Sequence, residues 1–135
     1  MDITIQPAKL HGSITVIPSK SQAHRYLICA ALSDNETELI CPETNRDIEA
    51  TVDCLNALGA NVEETPDGLI VHGKTPLTGG TVDSFNDHRI AMSMAIAACV
   101  SSGPVTITNA GAVAKSYPSF FEDYCMLGGE AASQE

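Results

Sequence analysis

Residues 12–32 have the sequence GSITVIPSKSQAHRYLICAAL, which predicts a short strand followed directly by a helix. Apolar and polar side chains alternate over 12–17, as they do on a half-buried strand, and a proline ends the run. Ser19 or Ser21 is suited to cap a helix that extends to about Leu32. The apolar side chains of this helix recur at the spacing of one helical face: Ala23, Tyr26, Leu27, Ala30 and Ala31.

A second strand, a second helix and a hairpin follow. The strand is predicted over 36–41, and the helix begins near Asn45, which is a favourable capping residue. The hairpin is predicted by two short runs, 61–64 and 69–72, on either side of the turn sequence Pro-Asp-Gly at 66–68. The inward face of the helix consists of Ile48, Thr51, Val52, Leu55 and Leu58.

The pattern then begins again about 68 residues further along the chain. A strand is predicted over 80–84, a helix from Asp87 to about Val100, a strand over 104–108, and a last helix from Pro118. The helix that begins at Asp87 is apolar on every side, which predicts that it is buried on every side. The last helix is predicted to turn three side chains inward: Phe121, Tyr124 and Cys125.

The recurrence predicts an α/β fold of the α+β type, with strand–helix–strand–helix occurring twice in a single domain, residues 1–135. Repeat one spans about 12–72 and includes the hairpin. Repeat two spans about 80–129, and a strand at 2–5 is expected to complete its sheet. Residues 130–135 are predicted to be a flexible tail.

The composition excludes several classes of protein. With 135 residues, 44% hydrophobic and 18% charged, the chain is neither disordered nor a coiled coil. No apolar run approaches the ~20 residues of a membrane span, and no signal peptide is recognisable. A net charge of −10 disfavours nucleic acid and anionic membranes as partners. Five cysteines without Cys-x-x-Cys spacing indicate reduced thiols and a cytoplasmic location rather than a metal site or disulfides.

The scarce positive charge is concentrated at predicted helix starts. Lys20, Ser21 and Arg25 lie at the first of them, where a helix N-terminus offers free N–H groups and a partial positive charge to an anion. His88 and Arg89 lie at the equivalent place in the second copy, and His88 is suited to donate a proton. Taken singly, each group is equally well explained as a cap or a solvated base. Two such helix ends facing across a cleft would bind a dianionic ligand.

Three motifs in this chain match the pattern of one known family in the same order. They are GSITVIPSKSQAHRYLICAAL at 12–32, DSFNDHRIAMSMAIAA at 83–98 and NAGAVAKSYPSFFEDYCMLGG at 109–129. Together they resemble the 5-enolpyruvylshikimate-3-phosphate synthase (EPSP synthase) family, also called 3-phosphoshikimate 1-carboxyvinyltransferase. The resemblance implies transfer of enolpyruvate from phosphoenolpyruvate to the 5-hydroxyl of shikimate 3-phosphate, with release of phosphate, in aromatic amino acid biosynthesis. It implies no metal and no cofactor.

The resemblance also assigns roles to individual residues. Lys20 would contact phosphoenolpyruvate, and Ser21 and Arg25 would hold shikimate 3-phosphate. Phosphoenolpyruvate would be held by Arg89 and by Lys115, a residue that from its sequence alone is an ordinary solvated lysine, and His88 would lie beside it. Lys20 and His88 are thus the candidate catalytic residues. The implied fold is that of β-α-β-α-β-β repeats with helices packed inward and mixed sheets outside.

The chain is much shorter than this family pattern, which has six repeats. Its first repeat resembles the family's first and its second the family's last, with a join expected near Leu58-Gly59-Ala60. The Gly-rich Leu-Gly-Asn-Ala-Gly-Thr segment, the Ser-Ser-Gln stretch, and the central Asp and Glu used for proton transfer do not appear. Weak or no turnover is therefore expected from this chain alone.

Two alternatives to a shortened enzyme stay open: a non-catalytic module that binds anions or a partner, and an engineered fragment. The expected ligands of a shortened enzyme or of an anion-binding module are shikimate 3-phosphate, phosphoenolpyruvate and phosphate, whereas an engineered fragment would bind none of them. A homo-oligomer is also expected, because each repeat has lost the neighbours that cover its helices. The predicted contact residues are Met92, Met94 and Ile96.

Overall fold

A computed structural model describes residues 19–41, 43–73 and 76–133, and for Lys20 it describes the backbone only. The strands predicted at 2–5 and 12–17 lie outside the described residues. Within the described residues the elements are, in chain order, α1 (Lys20–Ala31), β1 (Thr37–Ile40), α2 (Arg46–Ala57), β2 (Asn61–Thr65), β3 (Gly68–His72), β4 (Gly80–Asp83), α3 (His88–Ala98), β5 (Val105–Thr108), a 3-10 helix (Ala110–Lys115) and α4 (Phe120–Met126).

The helix starts differ in how they are capped. Asn45 caps α2 as predicted, because its side-chain oxygen accepts hydrogen bonds from the N–H groups of Asp47 at 3.0 Å and Ile48 at 3.2 Å. Asp87 caps α3 in the same manner. Ser19 occupies the capping position of α1, as predicted, but its side chain makes no capping hydrogen bond. The N–H groups in the first turn of α1 therefore donate no hydrogen bond to the Ser19 side chain.

The strands form two small sheets. The first has the order β1-β3-β2 and is antiparallel throughout, with Thr37 opposite Val71 and Asn61 opposite His72. The predicted hairpin is confirmed, since β2 and β3 pair directly across the turn at 66–67. In the second sheet β4 and β5 are parallel. α3 follows β4 and precedes β5, as expected for a parallel pair joined by a helical crossover.

One hydrophobic core joins these elements. The helices α1, α2 and α3 pack against one another, α1 also packs on β1 and β3, and α2 packs on β2 and β4. Thr78 links the two halves of the chain, because its backbone N–H donates to the carbonyl oxygen of Leu58 at 2.8 Å. The largest fully buried apolar side chains are Leu27, Ile48, Leu55, Leu58, Leu69, Leu77, Ile90, Met94 and Val71.

The C-terminal part differs from its prediction. A 3-10 helix, which the sequence did not indicate, occupies Ala110–Lys115, and α4 begins at Phe120 rather than at Pro118. Phe121 and Tyr124 are half-buried, but Cys125 is exposed, so its inward placement is wrong. The reason is that α4 has only seven residues and buries none of them fully. It contacts the rest of the chain through the edge-to-face pair of Phe120 with Tyr117 and through the hydroxyl of Tyr124, which lies 3.4 Å from the sulfur of Cys99.

The apolar helix α3 is not buried on every side. Ile96 is 43% exposed, while Met94 is fully buried in the core. Placing Met94 at an interface between copies is therefore wrong, because its side chain is already enclosed by this chain. Met92 and Ser93 are intermediate and lie on the same side of the helix as Ile96. Among the described residues, no helix has the length and apolar character needed to cross a membrane.

Candidate functional site

A cleft of about 350 Å³ lies between α1 and α3. It brings together Ser21 and Arg25 of the first predicted cluster with Arg89 of the second. Both charged side chains among its described lining residues are arginines. The described lining consists of Ser21, His24, Arg25, Ile28 and Cys29 from α1, and Arg89, Met92, Ser93 and Ile96 from α3.

Arg25 is an exposed cation at this cleft. One guanidinium nitrogen donates a hydrogen bond to the backbone carbonyl oxygen of Ser21, one helical turn earlier, at 3.3 Å. Because a guanidinium has five N–H donors, this bond leaves most of its donor capacity for other acceptors. The contact holds Arg25 beside the first turn of α1, on the face that it shares with Ser21.

Arg89, in contrast, is paired with a carboxylate of its own helix start. Its Nε donates to Asp87 Oδ1 at 3.2 Å and its Nη2 donates to Asp87 Oδ2 at 2.9 Å, a two-pronged contact. Asp47 at the start of α2 approaches the same Nη2 at 4.0 Å. Asp87 at the start of α3 and Asp47 at the start of α2 therefore offset the positive charge of Arg89.

Asp87 has three interactions at once. Besides the Arg89 side chain it accepts the backbone N–H of Arg89 at 2.7 Å, which is the capping bond of α3. His88 Nδ1 lies 3.9 Å from Asp87 Oδ1. Burial acts to raise the pKa of Asp87, but the hydrogen bonds from Arg89 and the nearby positive charges outweigh it, so that its pKa is lowered. Asp87 is consequently a carboxylate at neutral pH.

His24 is a lining residue that the sequence reasoning missed. It is 2% exposed, and its Nδ1 lies 2.6 Å from the hydroxyl of Thr51 on α2. That hydroxyl also lies 3.1 Å from the carbonyl oxygen of Asp47, and the imidazole tautomer decides which group donates in the contact between His24 and Thr51. His24 thereby ties α1 to the first turns of α2. Its position three residues after Ser21 was the signal that could have placed it on the same helical face.

Two of the predicted site residues, His88 and Lys115, are not among the described residues that line the cleft. The ammonium of Lys115 donates to the carbonyl oxygen of Asn86, in the loop before α3. Phe85 and Asn86 have left-handed backbone angles, φ 50° and 57°, which are uncommon for phenylalanine and better tolerated by asparagine. Asp83 fixes this loop by accepting the N–H of Phe85 at 2.8 Å. The side chain of Lys20 lies outside what the structure describes.

Comparison with known proteins places this chain in a family. The profile of EPSP synthase (3-phosphoshikimate 1-carboxyvinyltransferase) matches it twice, over residues 5–62 and 43–124. The chain belongs to the EPSP synthase family. The predicted resemblance is thereby confirmed.

The relatives that match are several times longer than this chain. A 3-phosphoshikimate 1-carboxyvinyltransferase from Bacillus cereus is 52% identical over 86 residues, which are 64% of this chain and 20% of the relative. One from Bacillus cytotoxicus is 39% identical over 136 residues, 93% of this chain and 32% of the relative. The solved EPSP synthase from Acinetobacter baumannii matches with a TM-score of 0.70 and 32% identity, covering 82% of this chain and 29% of that one. The mixed α/β fold is thus that of part of an EPSP synthase.

The comparisons correct the expected join near Leu58-Gly59-Ala60. An alignment of 86 residues is longer than the part of the chain on either side of Gly59, and it takes up only 20% of the relative. The relative is therefore continuous across this point. The misleading feature was the Leu-Gly helix ending, which recurs because Gly59 must adopt a left-handed φ of 92° after α2. The two profile matches overlap over 43–62, so this stretch resembles two parts of the family.

Proposed function

We propose that this chain is a shortened EPSP synthase relative that binds the small anions of that reaction in the cleft between α1 and α3. These are shikimate 3-phosphate, phosphoenolpyruvate and phosphate. These anions are the substrates and a product of the family's reaction, enolpyruvyl transfer to shikimate 3-phosphate. The chain is proposed to be located in the cytoplasm. The chain itself is proposed to turn over weakly or not at all.

The observation that carries this proposal is the charge of the cleft. The chain as a whole has a net charge of −10, yet the charged side chains among the described lining residues are Arg25 and Arg89. Guanidinium groups match the paired oxygens of carboxylates and phosphates. Because Asp87 and Asp47 offset Arg89, the open positive charge of the cleft is that of Arg25. A single open cation in an acidic chain favours an anionic ligand of small size over a nucleic acid or a membrane.

The symmetry of the lining supports the proposed two repeats. Each of four residues from α1 has a counterpart on α3 that is 68 residues later in the sequence. The cleft is therefore formed by the equivalent faces of two equivalent helices, which is the arrangement expected when repeats pack their helices inward. The pairs are Ser21 with Arg89, His24 with Met92, Arg25 with Ser93, and Ile28 with Ile96.

The family roles are proposed for the residues that carry them here. Ser21 and Arg25 hold shikimate 3-phosphate, and Arg89 holds phosphoenolpyruvate from the other wall of the cleft. Lys115 acts from the end of the 3-10 helix, where its ammonium contacts Asn86 in the loop before α3. Lys20 contacts phosphoenolpyruvate, and His88 provides a proton.

Turnover is proposed to be weak because the family segments that grip the substrates and move protons do not appear. The loss of one acid or base group alone typically costs 10²–10⁴-fold in rate. The loss of groups that position the substrates adds to this. The second candidate function is that of an anion-binding module without catalysis. The same cleft favours it, and binding of the anions without turnover would support it.

Calorimetric titration with shikimate 3-phosphate and phosphoenolpyruvate, paired with a phosphate-release assay, tests the proposal. Binding that is lost in Arg25→Ala, with no phosphate release, is the expected result. Robust phosphate release that disappears in Lys20→Ala would overturn the proposed loss of turnover. Absence of binding to either compound would overturn the proposed function and leave a fragment without ligand.

A homo-oligomer remains part of the proposal, now with a different contact surface. Ile96 and Tyr26 are 43% and 54% exposed, and Met92 is intermediate, whereas Met94 is enclosed. Packing of such surfaces between copies would replace the covering that longer relatives obtain from other repeats. Light scattering at micromolar concentration tests it, and a folded 14.2 kDa monomer would contradict it.

A further inference from the structure

We propose that Asp87 is an internal competitor for Arg89, so that the cleft selects phosphate-like dianions over single carboxylates. This inference rests on the proposed anion binding and names what decides its selectivity. Asp87 occupies Arg89 with both carboxylate oxygens, at 3.2 and 2.9 Å. An incoming anion can use Arg89 fully only by displacing that carboxylate.

A simple carboxylate ligand gains little from this exchange. It would replace a two-pronged contact with a carboxylate by another of the same kind, after losing its freedom of translation and rotation. Asp87 is held two residues from Arg89 in sequence, so its effective concentration at the guanidinium far exceeds that of a dissolved ligand. A monocarboxylate is therefore excluded from Arg89 at ordinary concentrations.

A tetrahedral dianion competes on better terms. It carries more negative charge than Asp87, and after two of its oxygens have accepted from Arg89 the others stay available to Arg25, which lines the same cleft. Asp47, 4.0 Å from Arg89, keeps a negative group beside the guanidinium throughout. Asp47 repels any anion that approaches Arg89. Tight binding therefore needs a second cation, which is Arg25.

The capping role of Asp87 must be separated from this competition. Asp87→Asn makes the separation, because asparagine is as good a capping residue as aspartate and retains the acceptor for the N–H of Arg89. It removes the charge that binds the guanidinium. Asp53→Asn is the matched control, since Asp53 is an exposed acid on α2 whose removal changes the net charge equally.

The test is an NMR titration of the full chain with sulfate and, separately, with acetate, at fixed ionic strength. Sulfate stays a dianion across the pH range of interest, unlike phosphate. Wild type is expected to bind sulfate and not acetate measurably. Asp87→Asn is expected to bind sulfate about 5- to 10-fold more tightly and to gain measurable acetate binding, while Asp53→Asn stays within about twofold of wild type.

Each other outcome overturns a defined part of the argument. Sulfate binding that requires Arg25 but is unchanged in Asp87→Asn would overturn the competition and leave the proposed function standing. An equal gain in Asp53→Asn would assign the effect to net charge alone and would also overturn the competition. Failure of sulfate to bind both wild type and Asp87→Asn, with circular dichroism showing both folded, would overturn the competition and the anion site together.

Discussion

The starts of α1 and α3 occupy equivalent places in the chain but differ in chemistry. At α1, Ser19 makes no capping bond, and Arg25 contacts a backbone carbonyl oxygen. At α3, Asp87 both caps the helix and pairs with Arg89. One helix start therefore presents an open cation, while the other neutralises its own. The difference shows that a repeated backbone position does not fix the electrostatics of a site, which depend on one capping side chain.

The largest expected effect is on stability and concerns a pair of equivalent isoleucines, Ile28 on α1 and Ile96 on α3. Ile28 is 7% exposed and Ile96 is 43% exposed. Ile28→Ala is expected to cost about 2–4 kcal/mol of unfolding free energy, because it leaves a cavity in the core. Ile96→Ala is expected to cost about 1 kcal/mol or less. Urea denaturation of both variants measures this, and equal losses would mean that the two helices are equally buried.

Removal of the two arginines is expected to weaken anion binding unequally. Arg25→Ala should reduce sulfate affinity about tenfold or more, since a hydrogen bond to a charged group contributes about 1.5–3 kcal/mol. Arg89→Ala should have a smaller effect, because binding to Arg89 also requires loss of its contact with Asp87. Arg25→Lys, which keeps the charge without the fork, should recover part of the affinity. A larger loss in Arg89→Ala than in Arg25→Ala would show that α3 is the main anion site.

Removal of the two capping side chains is expected to affect stability unequally. Asp87→Ala should lower the unfolding free energy by about 1–2 kcal/mol, because the first turn of α3 loses its capping acceptor. Ser19→Ala should change it by less than about 0.5 kcal/mol, since that side chain makes no capping bond. Thermal and urea unfolding provide the measurement. If Ser19→Ala were as costly as Asp87→Ala, the caps of the two helices would have to be equivalent in solution.

The smallest expected effect is the acid dependence contributed by Asp87. Its pKa is lowered in the folded chain, so its stabilising contribution is complete above the unfolded pKa of about 3.9 and is lost as the pH falls through the lower folded value. Asp87→Asn should remove this part of the acid destabilisation. Unfolding free energies of the two proteins between pH 6 and pH 3 should converge at the acid end. A difference between them that grew toward low pH would have the wrong sign.

Much of the fold follows from local sequence signals. Asn45 and the acids after it predicted the start of α2, and the Pro-Asp-Gly turn predicted the hairpin between β2 and β3. The side of α3 that stays exposed could not be predicted, because Met92, Met94 and Ile96 are all apolar and only the packing distinguishes them. The 3-10 helix before α4 also lacks a periodic signal, since it is short and rich in alanine.

The sequence predicted three of the residues that line the cleft, but His88 and Lys115 are not among the described lining residues and the pairing of Arg89 was not predicted. Positive charge at two helix starts indicated Ser21, Arg25 and Arg89, which line one cleft. The pairing of Arg89 with Asp87 depends on side-chain rotamers that the sequence does not specify, because a capping aspartate can turn to the helix N–H groups alone. His24 was missed because a histidine on the inner side of a helix is more often a packed core residue than a site residue.

The most direct test of the anion cleft is a two-dimensional ¹⁵N–¹H NMR titration of the full chain with sulfate. The expected result is a saturable set of shifts at the amides of Ser21 and Arg25 and at the amide and Nε–H of Arg89, with the β2–β3 hairpin unaffected. These shifts should disappear in Arg25→Ala. Shifts that are absent at the starts of α1 and α3, or that persist unchanged in Arg25→Ala, would contradict the assignment of the cleft as an anion site.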